Sequence, residues 1–360
     1  MKGQLKFMSQ YYEVIGVSSE GKELFEVEKN EEIKVHAINM SRSITPLFDL
    51  ISLFKLVIFF IKTKPLIVHT HTPKAGFLGM IAAKLAFVPK RFHTVAGMPL
   101  METTGFKRRV LELVEKITYC SASMIYPNSV GLYNFILSRK LARIDKLKVI
   151  GNGSSNGINT EYFSKKSINP TTVNQTRKDL KLDEKEFIFL FVGRIVREKG
   201  IEELIKAFLM LNHPKAKLLL VGNFEEDLDP VDYKVKFEIF NNQNIVYVGY
   251  QEDVRLYYAI ANVLVFPSYR EGFPNVVMQA GSMELPSIVT DINGCNEIIA
   301  NGENGVIVPV KNIGELKNAM LKIMIDKNLY AYLKSNSRNY ITDRFECNSI
   351  WNRILLEYES

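Results

Sequence analysis

The residues best suited to chemistry fall in two short segments of the second half of this 360-residue chain. The first is FVGRIVREKG, residues 191–200, where an apolar run ends at Gly193-Arg194 and a helix is predicted to begin near Lys199-Gly200. A strand-to-helix turn offers unpaired backbone N–H groups and the positive end of a helix, and cations such as Arg194 and Lys199 beside it suit a diphosphate. Ordinary surface cations at a helix start are the plainer alternative. The segment is not a P-loop, because GxxxxGK[ST] is absent.

The second segment is PSYREGFPNVVMQAGSMELPSIVTDINGCNEII, residues 267–299. Pro274 stands where a proline at the first helical position belongs, so a helix is predicted directly after Glu271-Gly272-Phe273, and its first amides make a second anion site. Glu271 ahead of that helix and Gln279 along it are polar groups able to grip sugar or ribose hydroxyls. The alternatives are that Glu271 caps the helix and that Gln279 sits on its solvated face. Asp227-Leu228-Asp229 spells a DxD metal pattern, but in an acidic loop away from both anion sites. No Ser/His/Asp arrangement and no convincing carboxylate nucleophile stand out either; neither a metal nor a cofactor is expected.

Elements that position such turns recur along nearly the whole chain. Short apolar runs at 12–19, 34–40, 66–71, 91–97, 124–129 and 147–152 alternate with helical-period runs at 46–62, 74–86, 105–119 and 129–140. A polar, Asn- and Ser-rich passage from Gly151 to about Asn174 reads as a linker. The alternation then restarts, with strands at 187–194, 217–223, 245–250, 262–268, 286–291 and 305–310 and helices at 199–211, 252–260, 274–284 and 313–325. A final helical stretch covers 329–359. Such alternation predicts an α/β protein of two doubly wound domains facing each other across a cleft. The expected boundaries are 1–160 for an acceptor domain and 161–340 for a nucleotide-sugar domain, with a helix over 341–360 packing back towards the first.

Composition narrows the classes. At 47% hydrophobic and 24% charged, the chain can bury a sizeable core, which excludes disorder. Its three cysteines, Cys120, Cys295 and Cys347, form no CxxC or Cys/His cluster, which argues against a disulfide framework or a zinc site and for a reducing cytoplasm. The longest apolar stretch, 47–61, is interrupted by Asp49 and Lys55 and falls short of a bilayer span. Charge is uneven: residues 1–160 hold 22 Lys and Arg against 12 Asp and Glu, leaving 24 against 27 for the rest. A basic half suits an anionic neighbour, whether nucleic acid, membrane headgroups or a phosphorylated substrate, and a solvated lysine-rich surface is the plainer alternative.

Taken together and in order, GRIVREKG and EGFPNVVMQAG resemble the paired signature of the retaining glycosyltransferases of family 4. The resemblance extends to VHTHTPKAG (68–76), TVAGMPL (94–100), GNGSSNGIN (151–159) and NGENGVIV (301–308), and so covers essentially the whole chain. It implies the GT-B fold, nucleotide-sugar donors, and the branch that builds capsular polysaccharide, lipopolysaccharide or lipid-linked oligosaccharide. It also implies roles. Arg194 and Lys199 clamp the leaving diphosphate, Glu271 holds hydroxyls of the transferred sugar, and Gly193, Gly272, Phe273, Pro274, Asn275 and Val276 line the donor site with backbone. The family's ribose-binding glutamate, eight positions after the first, is here Gln279, which lacks its charge. Enzymes of this type need no divalent metal.

Two further departures concern the first domain. Where many relatives read T-x-His-Gly this chain reads Thr94-Val95-Ala96-Gly97, and strand alternation keeps His93 on the face opposite Ala96. His71, ending a strand before Thr72-Pro73-Lys74, is the histidine given an acceptor role, a packed or surface histidine being the alternative, and Lys74 and Arg108 are the candidates for acceptor phosphates. Relatives also open with a strand, whereas residues 1–10 here read as the helix that should follow it; a start further upstream, or a truncated and inactive form, is the expectation. The stretch from Arg42 to Lys148 carries 17 Lys and Arg against 5 acids, interleaved with Phe77, Phe87 and Phe106, and suits peripheral docking on anionic lipid. The helix at 47–61 is expected to pack on the sheet rather than enter lipid. No nucleic-acid module accompanies this charge.

The sequence thus predicts a cytoplasmic-side retaining transferase acting from a UDP-sugar, or a GDP-sugar, on a lipid-linked glycan. A nucleotide-sugar epimerase of the same fold and a non-catalytic nucleotide-sugar-binding scaffold are the alternatives.

Overall fold

The computed structural model describes residues 2–41, 45–101, 103–227 and 229–360. The chain divides into two compact units, one of Met1–Gly157 with Cys347–Ser360, the other of Ile158–Glu346.

The first unit runs α1 (Gln4–Met8), β1 (Ile15–Ser18), α2 (Lys22–Glu31), β2 (Lys34–Ala37), α3 (Pro46–Thr63), β3 (Ile67–Thr70), α4 (Pro73–Leu85), β4 (Lys90–Val95), α5 (Gly105–Ser121), β5 (Met124–Pro127) and α6 (Val130–Ser138). Every pairing is parallel, yet the strands form two sheets, β1-β2 and β3-β4-β5. No strand precedes β1 among the described residues. The strand expected at 147–152 reduces to one bridge between Leu147 and Ile125, because Gly151 and Gly153 then turn the chain at φ 59° and 97°. No apolar period announces α2, whose charged run buries only Leu24 and Glu31.

Helix α3 has two apolar sides. Ser52, Leu56 and Phe60 are buried, and the helix packs along α4. At about 100° per residue, Leu47, Ile51, Phe54, Ile58 and Ile61 fall on the opposite side, and all five are exposed. The expectation that this helix packs inward therefore describes only one of its faces.

The second unit runs α7 (Pro170–Asp179), β6 (Phe187–Val192), α8 (Ile201–Leu211), β7 (Ala216–Val221), α9 (Tyr233–Asn241), β8 (Ile245–Tyr247), α10 (Arg255–Ile260), β9 (Val263–Phe266), α11 (Asn275–Ser282), β10 (Ser287–Thr290), α12 (Cys295–Ile298), β11 (Gly305–Val308), α13 (Ile313–Ile325) and α14 (Lys327–Phe345). Among the described residues its six strands make one parallel sheet ordered β8-β7-β6-β9-β10-β11. β6 reads FIFLFV without alternation because a central parallel strand is covered on both faces; Ile188 to Phe191 are fully buried. α8 buries Ile201, Leu204, Ile205, Phe208 and Leu211 along one stripe, with Glu202 and Glu203 favourably placed in its first turn. α7 begins within the passage read as linker and runs beyond it; it buries no residue, so it has no apolar stripe to betray it, and it rests on the Asn169 cap and Pro170.

The helical stretch expected over 329–359 is made of two helices. α14 ends at Phe345, Glu346 is extended, and α15 (Cys347–Glu359) belongs to the first unit. There Ile350, Ile354 and Leu355 pack with Met8, Phe92 and Tyr126, and Trp351 Nε1 donates to the Asn156 carbonyl at 3.1 Å.

Candidate active site

In the second unit the chain starts at β6 in mid-sheet, works outward to β8, then returns to β9 on the other side of β6. Connections after β6 and β9 therefore diverge, and a crevice opens at the carboxyl ends of these two strands. Both segments singled out in the sequence arrive there. Arg194 lies two residues beyond β6, and Glu271 follows β9.

Glycines bring the loops together. Gly200, at φ 70°, lies so near the β9 loop that a Cβ would stand 2.1 Å from the Pro267 carbonyl oxygen. Gly222, at φ 141°, backs the β6 loop, its would-be Cβ 1.8 Å from the Gly193 carbonyl oxygen. This closeness lets Lys199 Nζ reach Glu271 Oε1 at 2.5 Å, with 13% and 16% of the two side chains exposed. The Phe266 ring centroid lies 5.9 Å from the same ammonium.

Arg194 is exposed and divides its guanidinium between Glu198 and Glu225, each at 2.8 Å. Glu198 is also paired with Arg270. Partial burial pushes the Glu198 carboxyl up, but Arg270, Lys199 and Arg194 outweigh it and hold the group below its ordinary range. The site thus carries three cations held by carboxylates, an arrangement able to exchange acidic side chains for phosphate oxygens.

α11 supplies the third element. Pro274 is its cap rather than its first helical residue, and no side chain caps it, so the amides of Asn275 and Val276 open the helix. Glu271 is held by Lys199 and does not cap. Asn293 Nδ2 donates to the carbonyls of Glu271 (3.2 Å) and Gly272 (2.8 Å), while Gly294 at φ 77° comes so close that a Cβ would lie 2.4 Å from the Gly272 oxygen. Gln279 is half-buried; its Oε1 accepts from Tyr258 at 3.0 Å, which leaves its amide N–H groups to donate. Gly193, Gly272 and Phe273 line the loops as backbone.

Sequence reasoning missed Glu198, Arg270, Asn293 and Gly294. Glu198 and Arg270 lie inside the singled-out segments, and the Asn293-Gly294 pair carried a turn signal. In the DxD string, Leu228 lies outside the described residues, while Asp229 Oδ2 accepts from the Glu198 amide at 2.6 Å and so helps shape the β6 loop. Among the described residues, no group of three His, Cys, Asp or Glu could hold a metal ion.

The acceptor-side candidates all lie in the first unit. His71 stacks on His69 at 4.3 Å, and His69 bonds Tyr358 (2.6 Å) and Thr94 (2.8 Å). Burial pushes the imidazoles down, His71 to about 3 and His93 to about 4, with His69 well below its usual value, so all three are neutral at pH 7. His93 packs against Gly76, where a Cβ would lie 2.3 Å from its ring. Lys74 pairs with Asp49 at 2.7 Å, and Arg108 with Glu112 at 3.2 Å.

The family model for "Glycosyl transferases group 1" matches residues 172–340, and that for "Glycosyl transferase 4-like" matches residues 2–129. A capsular polysaccharide biosynthesis glycosyltransferase, CapM of Staphylococcus aureus, is 36% identical over 365 residues, covering 100% of this chain and 93% of that protein. An Escherichia coli UDP-Gal:α-D-GlcNAc-diphosphoundecaprenol α-1,3-galactosyltransferase is 30% identical over 312 residues, covering 85% and 78%. Among solved structures, Anabaena HepE in complex with UDP matches with a TM-score of 0.82 at 18% identity, over 99% of this chain and 94% of that one. A glycosyltransferase from Rickettsia africae matches at 0.83 and 20%, over 99% and 92%. The architecture is that of GT-B proteins, two Rossmann-like units.

Proposed function

The chain belongs to the group 1 glycosyl transferases, and from that premise we propose that it moves a hexosyl or N-acetylhexosaminyl group from a nucleotide sugar, UDP-linked rather than GDP-linked, to a growing polyprenyl-diphosphate-linked surface glycan, with retention of configuration. The observation that carries this reading is the convergence, at one sheet switch point, of Lys199, Glu271 and the uncapped start of α11. The E. coli relative is named for a UDP-sugar and a diphosphoundecaprenol acceptor, which supports both assignments.

In this reading the donor displaces the Lys199–Glu271 pair: sugar hydroxyls donate to Glu271, and the ammonium turns to the diphosphate beside Arg194. Backbone from Gly193 and from Gly272 through Val276 surrounds the donor, and Gln279 donates to a ribose hydroxyl. The bond from the anomeric carbon to the phosphate oxygen breaks as the acceptor hydroxyl attacks the same face. Its proton passes to the departing phosphate oxygen, and the nucleoside diphosphate leaves. Charge grows on that phosphate, so Arg194 and Lys199 act where the transition state differs most from the bound donor. These cations supply the neutralisation a divalent metal would otherwise give, and activity needs no added metal. His71, Lys74 and Arg108 serve the acceptor in the first unit.

The protein works at the cytoplasmic face of an anionic membrane as a peripheral protein. The exposed α3 stripe and the basic surroundings of the first unit support this, and among the described residues no helix is long and apolar enough to cross a membrane. A donor-binding scaffold without turnover is the second reading, favoured by the division of the first unit's strands into two sheets.

Calorimetric titration with UDP, GDP and UDP-sugars tests the proposal. Saturable UDP binding weakened by both Arg194→Ala and Lys199→Ala is expected; no binding by the folded wild-type chain overturns it. Donor binding with neither hydrolysis nor transfer selects the scaffold.

A further inference from the structure

Four charged side chains of the second unit form a chain of alternating sign, Glu225, Arg194, Glu198 and Arg270. Arg194 Nη1 donates to Glu225 Oε2 and its Nη2 to Glu198 Oε1, both at 2.8 Å. The other oxygen of Glu198 accepts from Arg270 Nε at 2.9 Å and from Nη2 of the same guanidinium. Two carboxylates thus hold one arginine at equal distances. They differ in what holds them.

Glu198 is fixed at every polar group. Its amide donates to Asp229 Oδ2 at 2.6 Å, and its carbonyl accepts from the Tyr269 amide at 2.9 Å and from the buried Ser268 hydroxyl at 3.4 Å. These bonds tie the turn Arg197–Lys199 to the loop after β9, and Arg270 on that loop takes one carboxylate oxygen. Glu225 lies on the loop after β7, its carboxylate paired with Arg194 and its side chain 32% exposed, against 20% for Glu198. The next residue, Glu226, pairs with Lys236. Arg194 is itself 45% exposed, so its ion pairs are weak in water and exchange readily for an anion of higher charge density. The carboxylate anchored at fewer points gives way first.

We propose that these two carboxylates act oppositely at the donor site, a division that rests on the assignment of Arg194 to the donor diphosphate. Glu225 is a placeholder that occupies the guanidinium until a diphosphate displaces it. Glu198, clamped by Arg270, is a positioning residue that keeps Arg194 aimed at the diphosphate once Glu225 has left. Charge balance supports the division. The chain of two arginines and two glutamates is neutral while paired and carries one net positive charge when Glu225 withdraws. That charge stays directed, because Glu198 still holds one edge of the guanidinium and leaves the other to the anion. The same exchange runs backwards at the end of a turnover: Glu225 returning to Arg194 competes with the departing nucleoside diphosphate, so the placeholder sets how tightly product is held.

Calorimetric titration of the full chain with UDP tests this through one quantity, the loss of affinity that Arg194→Ala causes in different backgrounds. In the wild-type chain the loss should be about tenfold. Glu225→Gln should bind UDP about threefold tighter, and because the gain passes through Arg194 the loss there should rise to about thirtyfold. With Glu198→Gln the guanidinium is no longer aimed, and the loss should shrink to about threefold or less. Arg270→Ala, a change at an exposed side chain, should shrink it likewise without touching the turn that carries Glu198, and Arg270→Lys should restore it. Glu226→Gln removes the same charge from the same loop and should leave UDP affinity within about twofold of wild type. Circular dichroism and thermal midpoints report that each variant folds. No tightening by Glu225→Gln, equal tightening by Glu226→Gln, or an undiminished loss in both Glu198→Gln and Arg270→Ala overturns the division while leaving Arg194 at the diphosphate. No loss on Arg194→Ala in the wild-type chain removes the donor assignment, and the division falls with it.

Discussion

The two units use the same construction, parallel strands with helical crossovers, to different degrees of completion. The second has six strands in one sheet with its central strands sealed from solvent, and its loops at the switch point hold carboxylates and cations in fixed pairs. Among its described residues the first has five strands in two sheets, a gap between them, and three neutral histidines around that gap and its neighbour strand. The difference teaches that a polar site of this kind depends on a continuous sheet behind it. Loops such as 193–200 and 267–274 are pinned by backbone approaches that only closely adjoining strands allow.

The contrast is sharpest in catalysis. If the second unit carries the chemistry, Lys199→Ala should lower kcat for transfer by about 10²- to 10³-fold, the cost of losing one preorganised charge at the leaving group, while Lys74→Ala should act mainly on KM for the acceptor. Steady-state transfer assays decide this; equal kcat losses for the two would erase the distinction.

Acid should separate the units next. His71 and His93 have folded values of about 3 and 4, below their unfolded value of about 6.5, so the unfolded chain binds more protons as pH falls. Their stabilising effect is complete above pH 6.5 and is lost as pH drops through 4 towards 3, each tenfold difference in proton affinity between the folded and unfolded chain being worth up to about 1.4 kcal/mol. Urea unfolding followed at several pH values should show the first unit weakening before the second, which has only His213. Replacing His93 by Gln should flatten that pH dependence; an unchanged profile would count against the assignment.

Backbone substitutions give a smaller effect. Gly200→Ala meets the Pro267 carbonyl and a left-handed φ together and should cost about 3 kcal/mol or more, whereas Gly97→Ala in the first unit has no atom within 4 Å of the new methyl and should stay within about 0.5 kcal/mol. Denaturant midpoints measure both. The smallest change is expected of Gln279→Glu, which gives a ribose hydroxyl a charged acceptor and should tighten UDP and GDP alike by about fivefold. Tightening of UDP alone would show that Gln279 faces the base instead.

Much of this was legible in residue order. The uninterrupted FIFLFV marked a central strand, and Gly193-Arg194, Lys199 and Glu271 lay where an α/β sheet places ligand-binding loops. Helices with an apolar stripe, such as α8 and α13, were visible; α2, α7 and α9 were not, because charged or polar sequences bury too little to set a period. The break that separates α14 from α15 was also beyond the sequence: Glu346 ends the helix without a proline or glycine, held by the Thr160 amide, which donates to its carboxylate.

Sequence by itself determined the alternation, the parallel sheets and the identity of the charged residues, since periodicity and local turn chemistry are properties of neighbours along the chain. Tertiary structure alone decided that Lys199 meets Glu271, that Asn293 holds the loop carrying Glu271, and that β1 and β3 stand apart. Those are contacts between segments remote in sequence, and their formation depends on strand order and on the space between backbones, which no local pattern encodes.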